Sequence, residues 1–106
     1  MIKARFKRNK AGGLYGFEVK DHGDSIVCAA VSALVLNCVN SLAELTDAKA
    51  VCESYEKPGI IRCEVPECKN GTHHDAELLL RSLRLGLLSI AQEYADHIRV
   101  YDEEVQ

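Results

Sequence analysis

Along the first eight residues apolar and basic side chains take turns, with Ile2, Ala4 and Phe6 on one side and Lys3, Arg5 and Lys7 on the other. A period of two marks a half-buried strand, because successive side chains of extended backbone point to opposite faces. Residues 9–13, Asn-Lys-Ala-Gly-Gly, read as a turn. Beyond it Tyr15, Phe17 and Val19 alternate with Gly16, Glu18 and Lys20, so the pattern predicts a hairpin with its aromatic faces inward, ending at Asp21.

The period then changes to that of a helix. From residue 26 to about residue 45, apolar side chains fall at 27, 31, 34, 38, 42 and 45, and Val35 and Val39 widen the stripe. Ser25 or Asp24 is placed to cap its start, and Thr46-Asp47 marks its end. Residues 49–55 and 60–65 flank Glu56-Lys57-Pro58-Gly59, which predicts a second hairpin, and Pro66 stops further strand pairing. Thr72-His73-His74-Asp75 resembles a capping box. The long helix it opens has apolar residues at 76, 79, 80, 83, 87, 90, 91 and 94, opposed by Glu77, Arg81, Arg84 and Gln92. Leu78, Leu85 and Leu88 carry its apolar surface beyond one stripe, which predicts cover by a second partner such as another copy of the chain. Ile98 and Val100 supply an optional short final strand. The expected fold is α+β, ordered β-β-α-β-β-α, a mainly antiparallel sheet with two long helices on one face.

Composition narrows the classes. A chain of 106 residues, 47% hydrophobic and 27% charged, is an ordinary globular chain that fits one domain over residues 1–106. The net charge of −3 gives no bulk attraction to nucleic acid. The longest apolar stretch, residues 26–39, is interrupted by Ser32 and Asn37 and falls short of the ~18–20 residues of a membrane span, so no membrane association is expected. The opening residues lack the apolar core and cleavage site of a secretory signal, and the expected location is the cytoplasm. Five cysteines, an odd number, then read as reduced thiols.

One segment, residues 21–28, carries candidate chemistry. It sets His22 in a strand-to-helix loop and Cys28 in the first turn of the helix, where unpaired N–H groups and the helix dipole favour an anionic sulfur. A thiol near ~8.5 can fall to roughly 3.5–7.5 in such a place, which makes it a nucleophile at neutral pH. The same N–H groups lie near the oxyanion that forms when a thiolate attacks a carbonyl. Six residues span at most about 20 Å, so a loop that doubles back at Gly23 permits the His22–Cys28 pair without compelling it. Ser32 follows Cys28 by one helical turn on the same face. Each residue also has a plainer reading: Cys28 as a small core residue, His22 as a loop histidine, Ser32 as a hydroxyl bonded back to a helix carbonyl.

The stretch Gly16-Phe17-Glu18-Val19, then His22-Gly23, then Ile26-Val27-Cys28-Ala29-Ala30-Val31-Ser32-Ala33-Leu34, resembles the ribosomal-processing cysteine protease family (Prp) of Firmicutes and related bacteria. The likeness covers essentially the whole length. It implies a small cytosolic homodimer of mixed α/β fold that removes an N-terminal extension from a large-subunit ribosomal protein. By that resemblance Cys28 is the nucleophile, His22 the general base and then acid, and Ser32 a helper in the pocket. Many members carry a longer loop before the Cys, and Asp three residues ahead of it, where this chain has Ser25; Asp24 is the carboxylate available to replace it.

Other signals are weaker. Cys63, Cys68, His73 and His74 lack the paired close spacing of a zinc site, so neither a metal nor a cofactor is expected. The basic row Lys3, Arg5, Lys7, Arg8 and Lys10 suits ribosomal RNA or an acidic partner, and equally a solvated strand face. Phosphate-cradling loops and a Gly-x-Ser-x-Gly elbow do not occur. The expected function is therefore a cysteine endopeptidase acting on a ribosomal protein precursor peptide. The alternative is a non-catalytic, ribosome-associated module that grips a peptide with the same surface.

Overall fold

The computed structural model describes residues 1–21, 23–57 and 59–104. Its order is β1 (Ile2–Arg8), β2 (Leu14–Lys20), α1 (Ser25–Leu45), β3 (Val51–Tyr55), β4 (Ile60–Glu64), α2 (Pro66–Lys69), α3 (His74–Glu93) and β5 (Ile98–Glu104). The strands form one sheet in the order β3-β4-β2-β1-β5. All neighbours are antiparallel except β1 and β5, which run parallel. This is the expected α+β architecture, with two differences. The final strand is as long as β1, and its register with β1 runs from Ile2↔Ile98 to Arg8↔Glu104. Pro66, expected only to end a strand, also starts the short helix α2, since its fixed φ suits the first helical position.

Alternation along the strands builds the core. Ile2, Ala4 and Phe6 of β1 share a face with Phe17 and Val19 of β2, in the register Phe6↔Phe17 and Ala4↔Val19. That face meets Val27, Val31, Val35, Cys38 and Leu42 of α1 and Ala76, Leu80, Leu83 and Leu87 of α3. As the central strand, β2 is buried from Leu14 to Val19. Gly16 permits this packing, because a Cβ there would stand 2.5 Å from the Cys63 carbonyl oxygen of β4.

By length and composition α1 is apolar enough to cross a membrane, which corrects the expectation that no stretch qualifies. Here it is a core helix: one side packs on the sheet, and Ile26, Leu36 and Leu45 remain exposed. At α3 the cap is His73 rather than Thr72, with the ring Nδ1 accepting from Ala76 N and Nε2 bonded to Asp47 Oδ1. Both expected hairpins form; Pro58, assigned to the second turn, lies outside the described residues.

The face of the sheet away from the helices is charged and internally paired. Glu18 of β2, 8% exposed, bonds Arg62 Nε at 2.6 Å and lies 3.4 Å from Arg5. Arg5 also holds Glu103 at 2.8 Å, Lys7 holds Glu64 at 2.7 Å, and Lys3 stands 3.8 Å from Asp21. On the other, helix-covered side, where Asp102 stands in register with Phe6, Arg8 and Arg84 of α3 converge on Asp102, each at 2.9 Å. Among the described residues Lys3, Arg5, Lys7 and Arg8 thus each have a carboxylate partner.

Burial pushes the Glu18 carboxyl up, but the Arg62 hydrogen bond and the charges of Arg5, Arg62 and Lys20 hold it below its ordinary value. Asp102 is lowered likewise, against burial, by Arg84 and Arg8. Carboxylates whose folded pKa is depressed stabilise the fold fully above their unfolded pKa, about 4, and lose that contribution as pH falls through the lowered folded values. Urea unfolding at pH 7 and across the acid range is therefore expected to show stability falling below about pH 4.5. Glu18→Gln should make that fall shallower, and an unchanged slope would remove Glu18 from the account.

Candidate active site

Between Lys20 and Ser25 the chain must leave the central strand and start a helix. Asp21 turns it with φ +72, an uncommon conformation for a residue with a Cβ, and donates its N–H to Gly59 O at 3.3 Å. Gly23 leaves room at a tight point of this turn. A Cβ there would meet His97 O at 3.2 Å and Ile2 Cγ1 at 3.4 Å. His97 O already accepts Ile2 N at 2.9 Å, so the start of β1, the β2–α1 loop and the α3–β5 loop converge at this point.

Asp24 is the N-cap of α1. Its Oδ1 accepts from Ile26 N at 2.9 Å and Val27 N at 3.4 Å, and its carbonyl takes the Cys28 N–H at 2.8 Å. Cys28 accordingly occupies the first turn, half-buried, with its side chain against the core. Its Sγ accepts the Gly23 N–H at 3.3 Å and lies 3.7 Å from Gly23 O. The expected oxyanion donors, the N–H groups of the helix start, are largely taken: Asp24 uses those of Ile26, Val27 and Cys28. The donor that faces the sulfur is Gly23 N–H. It was missed because no side chain announces it, although a glycine five residues ahead of a helix-start cysteine was the available signal.

Other expected site residues are placed as follows. Ser25 is the first residue of α1 and exposed, and it is not the cap. Ser32 is exposed one turn beyond Cys28, and its hydroxyl has no partner among the described residues, unlike Ser89, which bonds back to Leu85 O at 3.1 Å. His22 lies outside the described residues. The suspected metal residues are engaged separately. Cys63 is buried in the sheet, Cys68 donates to His73 O at 3.8 Å, and the His73 ring serves Ala76 and Asp47. Such an arrangement offers a thiol at a helix start with one backbone N–H directed at it, which suits attack on a carbonyl carbon.

Comparison with known proteins bears on what that thiol does. A family model described as "Cysteine protease Prp" matches residues 1–99. The ribosomal processing cysteine protease Prp of Bacillus subtilis is 30% identical over 107 residues, covering 94% of this chain and 96% of its own. The crystal structure of an essential ribosomal processing protease Prp from S. aureus with a covalently linked product peptide superposes with a TM-score of 0.88. It is 25% identical and covers 97% of this chain and 100% of its own. The same protease with a substrate peptide gives a TM-score of 0.87 at 25% identity and the same coverage.

Replacing the cap tests the local geometry. Asp24→Ala is expected to cost about 1 kcal/mol in urea unfolding, since two helix-start N–H groups lose their acceptor. Ser25→Ala should stay within about 0.5 kcal/mol. The reverse order of costs would assign the cap to Ser25.

Proposed function

We infer the function of this chain from the cysteine protease Prp family, to which it belongs, and from the sulfur at the start of α1. We propose a cytoplasmic cysteine endopeptidase that removes an N-terminal extension from a large-subunit ribosomal protein precursor. The observation that carries the chemistry is the half-buried Cys28 sulfur with the Gly23 N–H directed at it from 3.3 Å. Peptide complexes of the S. aureus protease support a peptide as substrate.

In this reading His22 takes the Cys28 proton, and the sulfur attacks the scissile carbonyl carbon. Support for His22 comes from chain connectivity: the Gly23 nitrogen, the next backbone atom after residue 22, already contacts the sulfur. Gly23 N–H, rather than the occupied donors of the helix start, stabilises the oxyanion. Collapse breaks the C–N bond, His22 returns the proton to the leaving amine, and water hydrolyses the thioester. Ser32, one turn away and with a hydroxyl that has no partner among the described residues, helps to seat the peptide. Asp24 acts by fixing the helix start that carries Cys28, and Ser25 contributes its place in that first turn.

A homodimer completes the reading. Leu78, Leu85 and Leu88 of α3 are exposed, as are Ile26 and Leu36 of α1, and apolar side chains of this size on two packed helices suit a second copy. Contact with the ribosome is assigned to the bound precursor, since the basic row of β1 is spent on ion pairs.

Cys28→Ala is expected to lower cleavage of a precursor peptide by about 10³-fold or more while peptide binding persists. His22→Ala should cause a similar loss, and the double variant little more, because members of one catalytic unit fail non-additively. Unchanged cleavage by Cys28→Ala would leave only a peptide-binding module. Light scattering at micromolar concentration is expected to give a dimer, and Leu85→Glu should shift it toward monomer; a monomeric parent chain would remove the second copy.

A further inference from the structure

Three of the remaining cysteines are gathered at one end of the sheet. Cys52 of β3 and Cys63 of β4 are direct partners in the antiparallel register, and Cys38 of α1 lies near both. Directly opposed residues in such a pair have Cα atoms roughly 4.5 or 5.5 Å apart, and a disulfide needs roughly 4.4–6.8 Å, so either kind of position can be bridged. The side chains of Cys52 and Cys63 share one face of the sheet. Their settings differ. Cys52 is exposed on an edge strand, while Cys63 is fully buried beneath it. The adjacent Cys63 thiol draws Cys52 below its ordinary value, while the neighbouring Cys52 and burial push Cys63 up. Burial raises Cys38 to about 12, and its Sγ lies 3.7 Å from Leu79 O, which keeps it protonated.

We propose that Cys52 and Cys63 form a thiol–disulfide exchange site whose reactant is a low-molecular-weight disulfide, with Cys52 attacking and Cys63 resolving. The Cys52 thiolate attacks one sulfur of the small disulfide, whose S–S bond breaks; one half leaves as a thiolate and takes a proton from water. The Cys63 sulfur then attacks Cys52 Sγ and its proton passes to the sulfur of the departing half. The mixed disulfide breaks and the second half leaves as a thiol. Two protein thiols are oxidised to a disulfide by loss of two electrons, and the small disulfide is reduced to two thiols. Cys28 differs in kind: its sulfur contacts Gly23 N and O, and no second thiol among the described residues, so its reaction stops at a mixed disulfide.

The proposal does not depend on proteolysis, and it is tested in full-length Cys28→Ser protein with oxidised glutathione, read by intact mass and a non-reducing peptide map. The expected product is lighter by two hydrogen atoms and links the peptides that hold Cys52 and Cys63. Cys63→Ala should halt as a glutathione adduct on Cys52. Cys52→Ser, altered at an exposed position, should leave Cys63 unmodified under the same conditions. A persistent adduct on Cys52 with Cys63 present, a linkage through another cysteine, or equal modification of Cys63 in Cys52→Ser would overturn the pairing.

Discussion

At the start of α1 one carboxylate oxygen of Asp24 accepts the N–H groups of both Ile26 and Val27, and the course of the helix follows from it. The helix must begin within five residues of the end of the central strand, and Val27, Val31, Val35, Cys38 and Leu42 must all reach the core. A cap one residue later would rotate the stripe by about 100° and turn Val27 out of the sheet. Cys28 would turn with it. The Cys28 thiol and the hydrophobic core are therefore set by the same short run of hydrogen bonds, and neither can be adjusted alone.

The opposite face of the sheet follows another logic. Arg5, Lys7, Glu18, Arg62, Glu64 and Glu103 are matched in sign, so β2 can be buried on both sides while carrying a carboxylate in its middle. Such pairs add modestly to stability, and removing one partner leaves a shielded charge behind. They also balance Arg5 and Lys7, part of a row that reads as cationic in sequence, with carboxylates in the fold.

Much of the architecture was legible because periodicity reports faces directly. The alternation of Ile2, Ala4 and Phe6, the helical spacing from Val27 to Leu42, and Leu80 with Leu83 and Leu87 all appear in the core as the pattern requires. What was less legible depends on pairing at a distance. The partner of β5 is β1, some ninety residues away, and no local signal sets its length. The cap of α3 is His73 because Asp47, from another part of the chain, fixes its ring. At the site, the helix-start position of Cys28 was readable from residues 24–28, and the Gly23 donor was not, since a backbone N–H carries no letter in the sequence.

Gly23 lies close beside His97 O and Ile2, and the first turn that follows is tied by the cap. An insertion after Asp24 would shift the helical phase of the core stripe, whereas one ahead of it leaves the cap and the residues it ties intact. Chain length ahead of the cap can thus change without turning the helix that carries the sulfur, and only the Gly23 contact would have to be remade.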